Sequence, residues 1–268
     1  MKKKRIFFIL KLVIIIYCSI GIALYYFQDK LLFHPKSLQA DHKFSFKIPF
    51  TEINIPVNET DTINMVKFLP AVTPKGLVLY FHGNMENVEH YEYCVPAFTD
   101  KGYEVWMPDY PGFGKSTGVR NEKKLYDLAW LVKKMAMTKY HSDSIIIYGK
   151  SLGTGIAAYA ASGSNCKELI LETPYYSIPD LFHHYAFIYP TSAMANYQIP
   201  TWKFLEDVKA PVIIFHGDAD RTIPYSCAEK LKKSLKPTDR FFTIENGGHN
   251  NLAKTSLYKK VMDSLLLQ

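Results

Sequence analysis

The sequence is poor in cysteine, and its cysteines have no arrangement that indicates a metal site or a disulfide framework. Only four occur in 268 residues. Cys18 lies in the first hydrophobic run, and Cys94, Cys166 and Cys227 lack the closely spaced pairs typical of zinc sites and small disulfide-rich folds. Because 48% of the residues are hydrophobic, the chain can bury a full core as one domain without cross-links.

An excess of positive charge is also missing from most of the chain. The formal net charge is +7, but residues 1–30 hold six basic residues and one acidic residue, a sum of +5, which leaves +2 for the remainder. The basic character therefore belongs to the N-terminus, and we expect no nucleic-acid partner. The sequence also lacks internal repeats and low-complexity segments.

A long hydrophobic run near the N-terminus predicts a transmembrane helix. Residues 6–27 contain one charge, Lys11, and a helix of this length, at about 1.5 Å per residue, can cross a bilayer core of about 30 Å. A cleaved signal peptide should end at small residues, whereas this run ends in bulky and aromatic ones. The bulky Tyr17 before Cys18 disfavours a lipoprotein signal. We therefore assign residues 1–30 to a signal anchor and residues 31–268 to the folded domain.

The charges beside this helix predict its orientation. Lysines and an arginine fill positions 2–5, and Lys and Arg are biased towards the cytoplasmic flank of a transmembrane helix. The chain is then a single-pass membrane protein with a cytoplasmic N-terminus. Its folded domain lies outside the cytoplasm, in the periplasm if the organism is bacterial.

After the anchor, short apolar runs alternate with longer amphipathic ones. Residues 44–55 and 63–69 alternate apolar and polar side chains, as an antiparallel pair of half-buried strands does. Six later runs are almost continuously apolar, as strands buried on both faces are: 76–81, 104–107, 144–148, 168–171, 212–215 and 240–244. Four helical candidates lie between or after them, at 122–138, 154–162, 226–234 and 252–267. This order predicts an α/β protein with a mostly parallel eight-stranded sheet and helices on both faces.

The run that ends at Tyr148 leads into a Gly-x-Ser-x-Gly motif centred on Ser151. A helix of small residues follows, which is the context that a nucleophile elbow requires. Glycines at 149 and 153 are needed because side chains there would collide with the neighbouring strand and helix. Ser151 is therefore the predicted nucleophile of an α/β-hydrolase fold, although an ordinary tight turn has the same local pattern.

The loop after Phe81 begins His82-Gly83-Asn84. In this fold the corresponding loop supplies one backbone N–H to the oxyanion hole, and the residue after the nucleophile supplies the other. We assign these donors to Asn84 and Leu152. His82 is expected to shape the loop by hydrogen bonding.

Two further strand ends carry an acid and a base. Asp218 and Asp220 follow His216, and His249 follows the last strand. The order serine, aspartate, histidine is the one that α/β-hydrolases use. Asp180 is an alternative acid, since hydrolases of this fold sometimes take it from an earlier strand.

Taken together, the motifs resemble those of the Bem46-like α/β-hydrolases, which are related to the α/β-hydrolase domain-containing protein 13 and 17 groups and loosely to the S33 serine aminopeptidases. The matching segments are residues 27–33, 82–84, 109–116, 149–153, 172–174, 216–220 and 248–249. The resemblance implies that Asp220, rather than Asp218, is the acid. The sequence departs from many members at Pro111, where they carry arginine. Characterised members include esterases, acyl-thioesterases and peptidases.

Residues 175–203 form an insertion rich in aromatic residues and broken by prolines, which predicts a small lid. Tyr175, Tyr176 and Phe182 are the candidates to contact an acyl chain or another apolar group near Ser151. The alternative is that these rings only cover the sheet.

These residues predict a membrane-anchored serine hydrolase that cleaves carboxylic esters or thioesters of a small or lipid-like acyl substrate without a metal or other cofactor. A peptidase or aminopeptidase is the second hypothesis, with Glu86, Glu89 and Glu92 as candidates to hold a substrate ammonium. A non-catalytic binding or scaffolding protein on the same fold is the third. The sequence does not indicate an oligomeric state.

Overall fold

The computed structural model describes residues 2–267, and within them an eight-stranded mixed sheet organises the chain. The strands are β1 Phe50–Pro56, β2 Thr62–Phe68, β3 Gly76–Phe81, β4 Tyr103–Pro108, β5 Ile145–Lys150, β6 Glu168–Glu172, β7 Val212–Gly217 and β8 Arg240–Ile244. Their order across the sheet is β1-β2-β4-β3-β5-β6-β7-β8. β2 pairs antiparallel with β1 and with β4, and the other neighbours are parallel. The predicted mostly parallel sheet is confirmed.

Helices cover both faces of this sheet. They are α1 Lys2–Leu32, α2 Pro96–Thr99, α3 Glu122–Lys139, α4 Gly153–Ala161, α5 Ile178–Tyr185, α6 Thr191–Met194, α7 Thr201–Glu206, α8 Tyr225–Glu229 and α9 Ser256–Leu266. α3, α4 and α7 contribute to the core on one face, and α2 and α9 to the core on the other. The strands are buried on both sides because side chains alternate between these cores: Leu77 and Leu79 of β3 enter the first, and Val78 enters the second.

The first strand begins later than the sequence pattern predicts. β1 starts at Phe50, which pairs with Phe68 at the end of β2, so residues 44–49 have no strand opposite them. The aromatic residues there pack instead: the ring of Phe46 lies 4.9 Å from the rings of both Phe50 and Phe68. A coil segment can therefore show the same alternation of apolar and polar residues as a strand, when every second side chain packs on the core.

The N-terminal helix extends further than expected. In the part of the chain that the structure describes, α1 is the single helix long and apolar enough to cross a membrane, and most of its side chains are exposed. It continues to Leu32, two residues beyond the predicted anchor of residues 1–30. Its last turn is packed on the domain, since Gln28 and Leu32 are buried.

Candidate active site

Ser151 lies in a strained turn between β5 and α4. Its φ is +52°, in the left-handed region that side chains rarely adopt. The residues two positions before and after it must be glycine, because there is no room for a side chain. A Cβ at Gly149 would lie 2.6 Å from the carbonyl oxygen of Gly153, and one at Gly153 would lie 2.0 Å from that of Phe81. The serine is therefore held at the carboxyl end of the sheet by contacts that only glycine permits on either side.

His249 and Asp220 meet Ser151 in a continuous hydrogen-bonded chain. Nε2 of His249 lies 2.9 Å from Oγ of Ser151, and Nδ1 lies 2.8 Å from Oδ2 of Asp220. The other carboxylate oxygen, Oδ1, accepts the backbone N–H groups of Thr222 and Ile223 at 2.8 and 2.9 Å. Burial disfavours a charge on Asp220, but the hydrogen bond from His249 and these backbone donors outweigh it and hold the pKa of the carboxyl below its ordinary value.

The other two aspartates considered as the acid have different surroundings. Asp218 is exposed to solvent, and the carboxylate of Asp180 accepts a hydrogen bond from Lys230 at 2.5 Å. A residue without a predicted role, His216, is fully buried beside Asp220, and its Nε2 lies 2.9 Å from the carbonyl oxygen of Ile223. Its position in the motif that ends at Asp220 is the sequence signal that could have pointed to it.

The predicted oxyanion loop is fastened to the end of α1. The side-chain amide of Asn84 donates to the carbonyl of Leu32 at 2.9 Å, and the Asn84 carbonyl accepts the N–H of His34 at 2.9 Å. Among residues 2–267, the backbone N–H groups of Asn84 and Leu152 have no hydrogen-bond acceptor. Both residues line the same cavity as Ser151. The sequence predicted only a backbone role for Asn84, and the contact of its side chain with α1 was not predicted.

His82, in the same loop, is fully buried. Its Nδ1 lies 2.8 Å from the carbonyl oxygen of Gly83, and its Nε2 lies 3.1 Å from Oδ1 of Asp109. Tyr110 donates to the His82 carbonyl at 2.6 Å. These contacts shape the loop that carries Asn84.

A buried ion pair lies directly beside Ser151. The carboxylate of Glu172 accepts hydrogen bonds from Lys150 and from the hydroxyls of Tyr148 and Tyr258, and its backbone carbonyl accepts the N–H of Ser151 at 2.9 Å. Burial alone would raise the pKa of Glu172, but the Lys150 ammonium and these donors hold it below its ordinary value. These donors to the carboxylate are all side chains.

Ser151 opens into an apolar cavity of about 390 Å³, within the range of small-molecule sites. The predicted lid supplies one wall, including Tyr175, Phe182, Tyr185 and Tyr189, and α1 supplies another through Leu24, Gln28, Leu31 and Leu32. Tyr176, predicted with Tyr175 and Phe182, lies outside the cavity. Its ring stacks on Trp202 with centroids 5.7 Å apart, so only two of the three aromatic candidates are brought to the site.

Over residues 2–267, no three His, Cys, Asp or Glu side chains converge in a group that could hold a metal ion. His183 and His184 are exposed neighbours on α5. The groups around Ser151 can accept a proton at His249, stabilise negative charge through the backbone N–H groups of Asn84 and Leu152, and surround an apolar group.

Comparison with known proteins supports the family that the motifs suggested. The family model "Serine aminopeptidase, S33" matches residues 72–204. The curated relatives include α/β-hydrolase domain-containing protein 17C from Xenopus tropicalis, 28% identical over 203 residues, and from Homo sapiens, 27% identical over 210 residues. These alignments cover 70% and 73% of this chain and 59% and 58% of the relatives. The chain thus spans about three fifths of the length of the curated relatives that it matches.

Solved structures share the fold at lower sequence identity. An esterase from Pyrococcus furiosus superposes with a TM-score of 0.68 and 16% identity, covering 88% of this chain and 97% of the esterase. A bromoperoxidase from Bacillus anthracis superposes with a TM-score of 0.60 and 18% identity, covering 81% and 100%. The strand order and these structures show that the chain has the α/β-hydrolase fold, and its motifs and curated relatives are similar to those of the Bem46-like group related to α/β-hydrolase domain-containing protein 17.

Proposed function

We propose that the protein is a membrane-anchored serine hydrolase that cleaves acyl esters or thioesters. The observation that carries this proposal is the hydrogen-bonded chain from Ser151 through His249 to Asp220 at the mouth of an apolar cavity. A serine hydroxyl is a weak nucleophile at neutral pH and needs an adjacent base that a third group orients.

In the proposed mechanism, His249 accepts the proton of Ser151 as the serine oxygen attacks the substrate carbonyl. Asp220 keeps the imidazole proton on Nδ1 and stabilises the cation that forms. The backbone N–H groups of Asn84 and Leu152 stabilise the negative oxygen of the tetrahedral intermediate, where loss of one donor typically costs about 3 kcal/mol. The leaving group departs with the proton from His249, and water then hydrolyses the acyl-enzyme by the same route.

The cavity supports an acyl substrate. Tyr175 and Phe182 are the proposed substrate contacts from the lid, because both line the cavity with Ser151. Apolar walls with few polar groups suit a hydrocarbon chain, whose burial is favourable without matched hydrogen bonds.

A serine aminopeptidase is the second candidate, since the matching family model carries that description. Such an enzyme needs an acidic side chain to hold the substrate ammonium. Glu86, Glu89 and Glu92 were the candidates, but Glu89 contacts His42, Glu92 accepts the backbone N–H of Lys47, and none of the three lines the cavity. The acyl hydrolase is therefore favoured.

The proposed membrane attachment runs through α1. Residues 1–30 serve as the signal anchor, with the N-terminus in the cytoplasm because Lys and Arg fill positions 2–5. Residues 31–268 then form the extracytoplasmic hydrolase domain, with its lid at about residues 175–203.

Labelling with a fluorophosphonate probe tests the proposal, because the probe reacts with activated serines. The full chain should be labelled and Ser151→Ala should not, whereas Ser164→Ala, a change at a half-buried serine after α4, should be labelled like the parent. Absence of label on the folded parent would favour a non-catalytic scaffold. Rates with matched esters, thioesters and aminoacyl amides would then separate the acyl hydrolase from the peptidase.

A further inference from the structure

The lid is docked against the N-terminal helix at Tyr17, in the middle of its apolar run. Tyr17 of α1 stacks on Tyr189 with ring centroids 4.7 Å apart and 11° between the planes. The Tyr17 hydroxyl donates to the carbonyl of Ile188 at 3.1 Å, and the Tyr189 hydroxyl donates to the carbonyl of Tyr17 at 3.0 Å. Gly21 leaves room for this contact, since a Cβ there would lie 3.0 Å from the Tyr189 ring.

The position of Tyr17 in the helix sets the depth of this contact in a bilayer. Tyr17 lies ten residues before Phe27, the end of the apolar run, which is about 15 Å at 1.5 Å per residue. Only eleven apolar-run residues, 6–16, precede it. They extend about 17 Å, too short for a core of about 30 Å. If α1 spans the membrane, the lid residues beside Tyr17 must therefore lie below the bilayer surface.

The composition of the lid suits that environment. Residues 185–202 contain no Asp, Glu, Lys, Arg or His. At the lid tip, defined as residues 185–189, three large apolar side chains are open to solvent: Tyr185 at 59%, Phe187 at 71% and Ile188 at 58%. A cluster of this kind marks a membrane or partner contact more often than a free surface.

Part of the lid-tip backbone also has internal partners, which a hydrocarbon environment favours. The N–H of Ala186 donates to Phe182 at 2.8 Å and that of Tyr189 to Ala186 at 2.9 Å. The carbonyl of Ile188 is the acceptor of the Tyr17 hydroxyl.

The cavity connects this region with the candidate nucleophile. Leu24, Gln28 and Leu31 of α1 form one side, Tyr185 and Tyr189 of the lid form the other, and Ser151 lies in the same cavity. We propose that the lid tip is immersed in the bilayer beside α1, and that the substrate is a membrane lipid whose acyl chain enters the cavity directly from the bilayer between α1 and the lid. This proposal rests on the proposed hydrolase function.

A first experiment compares two substrates with the full chain reconstituted in vesicles. One is a long-chain ester held in the bilayer, and the other is a short water-soluble ester. Phe187→Ser/Ile188→Ser should lower hydrolysis of the bilayer ester about tenfold or more, because apolar burial in the membrane is lost, and leave the soluble ester unchanged. Val72→Ser is the matched control. It is 64% exposed and precedes the amino end of β3, whereas Ser151 lies at the carboxyl end of the sheet.

Equal loss with both esters, or loss with neither, would overturn the proposal. If the parent hydrolyses neither ester, or Ser151→Ala hydrolyses them at the parental rate, the hydrolase function itself fails.

A second experiment measures depth without catalysis. Phe187→Trp and Val72→Trp are made in a Trp130→Phe chain, which removes an exposed native tryptophan, and are placed in vesicles whose acyl chains carry bromine. Strong quenching at 187 and none at 72, each measured above the signal of the Trp130→Phe chain with its remaining Trp106 and Trp202, supports immersion of the lid tip. Equal fluorescence loss at both positions, or none at 187, would overturn it whatever the activity.

Discussion

Replacement of Asp220 by asparagine should disable the enzyme while preserving its fold. Oδ1 of Asp220 accepts two backbone N–H groups, from Thr222 and Ile223, whereas Oδ2 faces Nδ1 of His249. An asparagine has one oxygen, and that oxygen should stay with the two donors. The opposite orientation would lose two hydrogen bonds, each worth about 0.5–1.5 kcal/mol. The amide NH₂ must then point at Nδ1 of His249.

This orientation changes the histidine tautomer. Nδ1 must become an acceptor, so the ring proton moves to Nε2, the atom 2.9 Å from Oγ of Ser151. A nitrogen that already carries a proton cannot take the proton of the serine. The corresponding change in a serine protease triad lowers kcat about 10⁴-fold, or about 5.5 kcal/mol at 1.36 kcal/mol per tenfold. We expect a loss of about that size here.

The assay is kcat and KM for a short-chain ester, with circular dichroism to verify the fold. Asp218→Asn is the matched control, because Asp218 lies in the same loop and is exposed. It should keep parental activity. If Asp220→Asn kept more than about a tenth of the parental kcat, the tautomer argument would be refuted, and Asp180→Asn would be the next variant to measure.

Three further predictions concern the same site. Asn84→Ala should lower kcat about three- to tenfold with little change in KM, because one hydrogen bond that positions the loop is lost; a pure KM effect would contradict this. Asp220 should add no step to the pH profile of hydrolysis between pH 5 and 8, because its pKa is held below its ordinary value, burial being outweighed by the bond from His249; a step in that range that disappears in Asp220→Asn would contradict this. Lys150→Met should lower the free energy of unfolding in urea by about 3–5 kcal/mol, because it leaves the Glu172 carboxylate buried without its cation. A decrease below about 1 kcal/mol would show that the pair contributes little to stability.

A matched control separates the buried pair from charge loss in general. Lys123→Met removes an exposed lysine of α3 that pairs with Asp127 four residues later. Exposed pairs of this kind contribute about 0.3–0.5 kcal/mol, so this variant should unfold close to the parent.

Much of the fold could be predicted because its signals are local. The runs at 76–81 and 240–244 coincide with β3 and β8, and the helix predicted over 122–138 is α3, one residue longer. Each pattern reports the environment of its own segment, since a strand buried on both faces must be apolar throughout. The strained turn at Ser151 was equally local, because its two glycines are needed by contacts of the turn itself. The pattern wrongly predicted a strand at residues 44–49, because it does not record whether a partner strand lies opposite.

The sequence by itself therefore determined the class of fold, the elbow and the residue types at the ends of the strands. Only the tertiary structure decided which side chains meet. It brought Asp220 to His249 and left Asp218 in solvent, placed Tyr175 in the cavity and Tyr176 against Trp202, and made α1 a wall of the site. The reason is physical: periodicity records whether a residue is buried, whereas the identity of its neighbour depends on how segments far apart in the chain pack together.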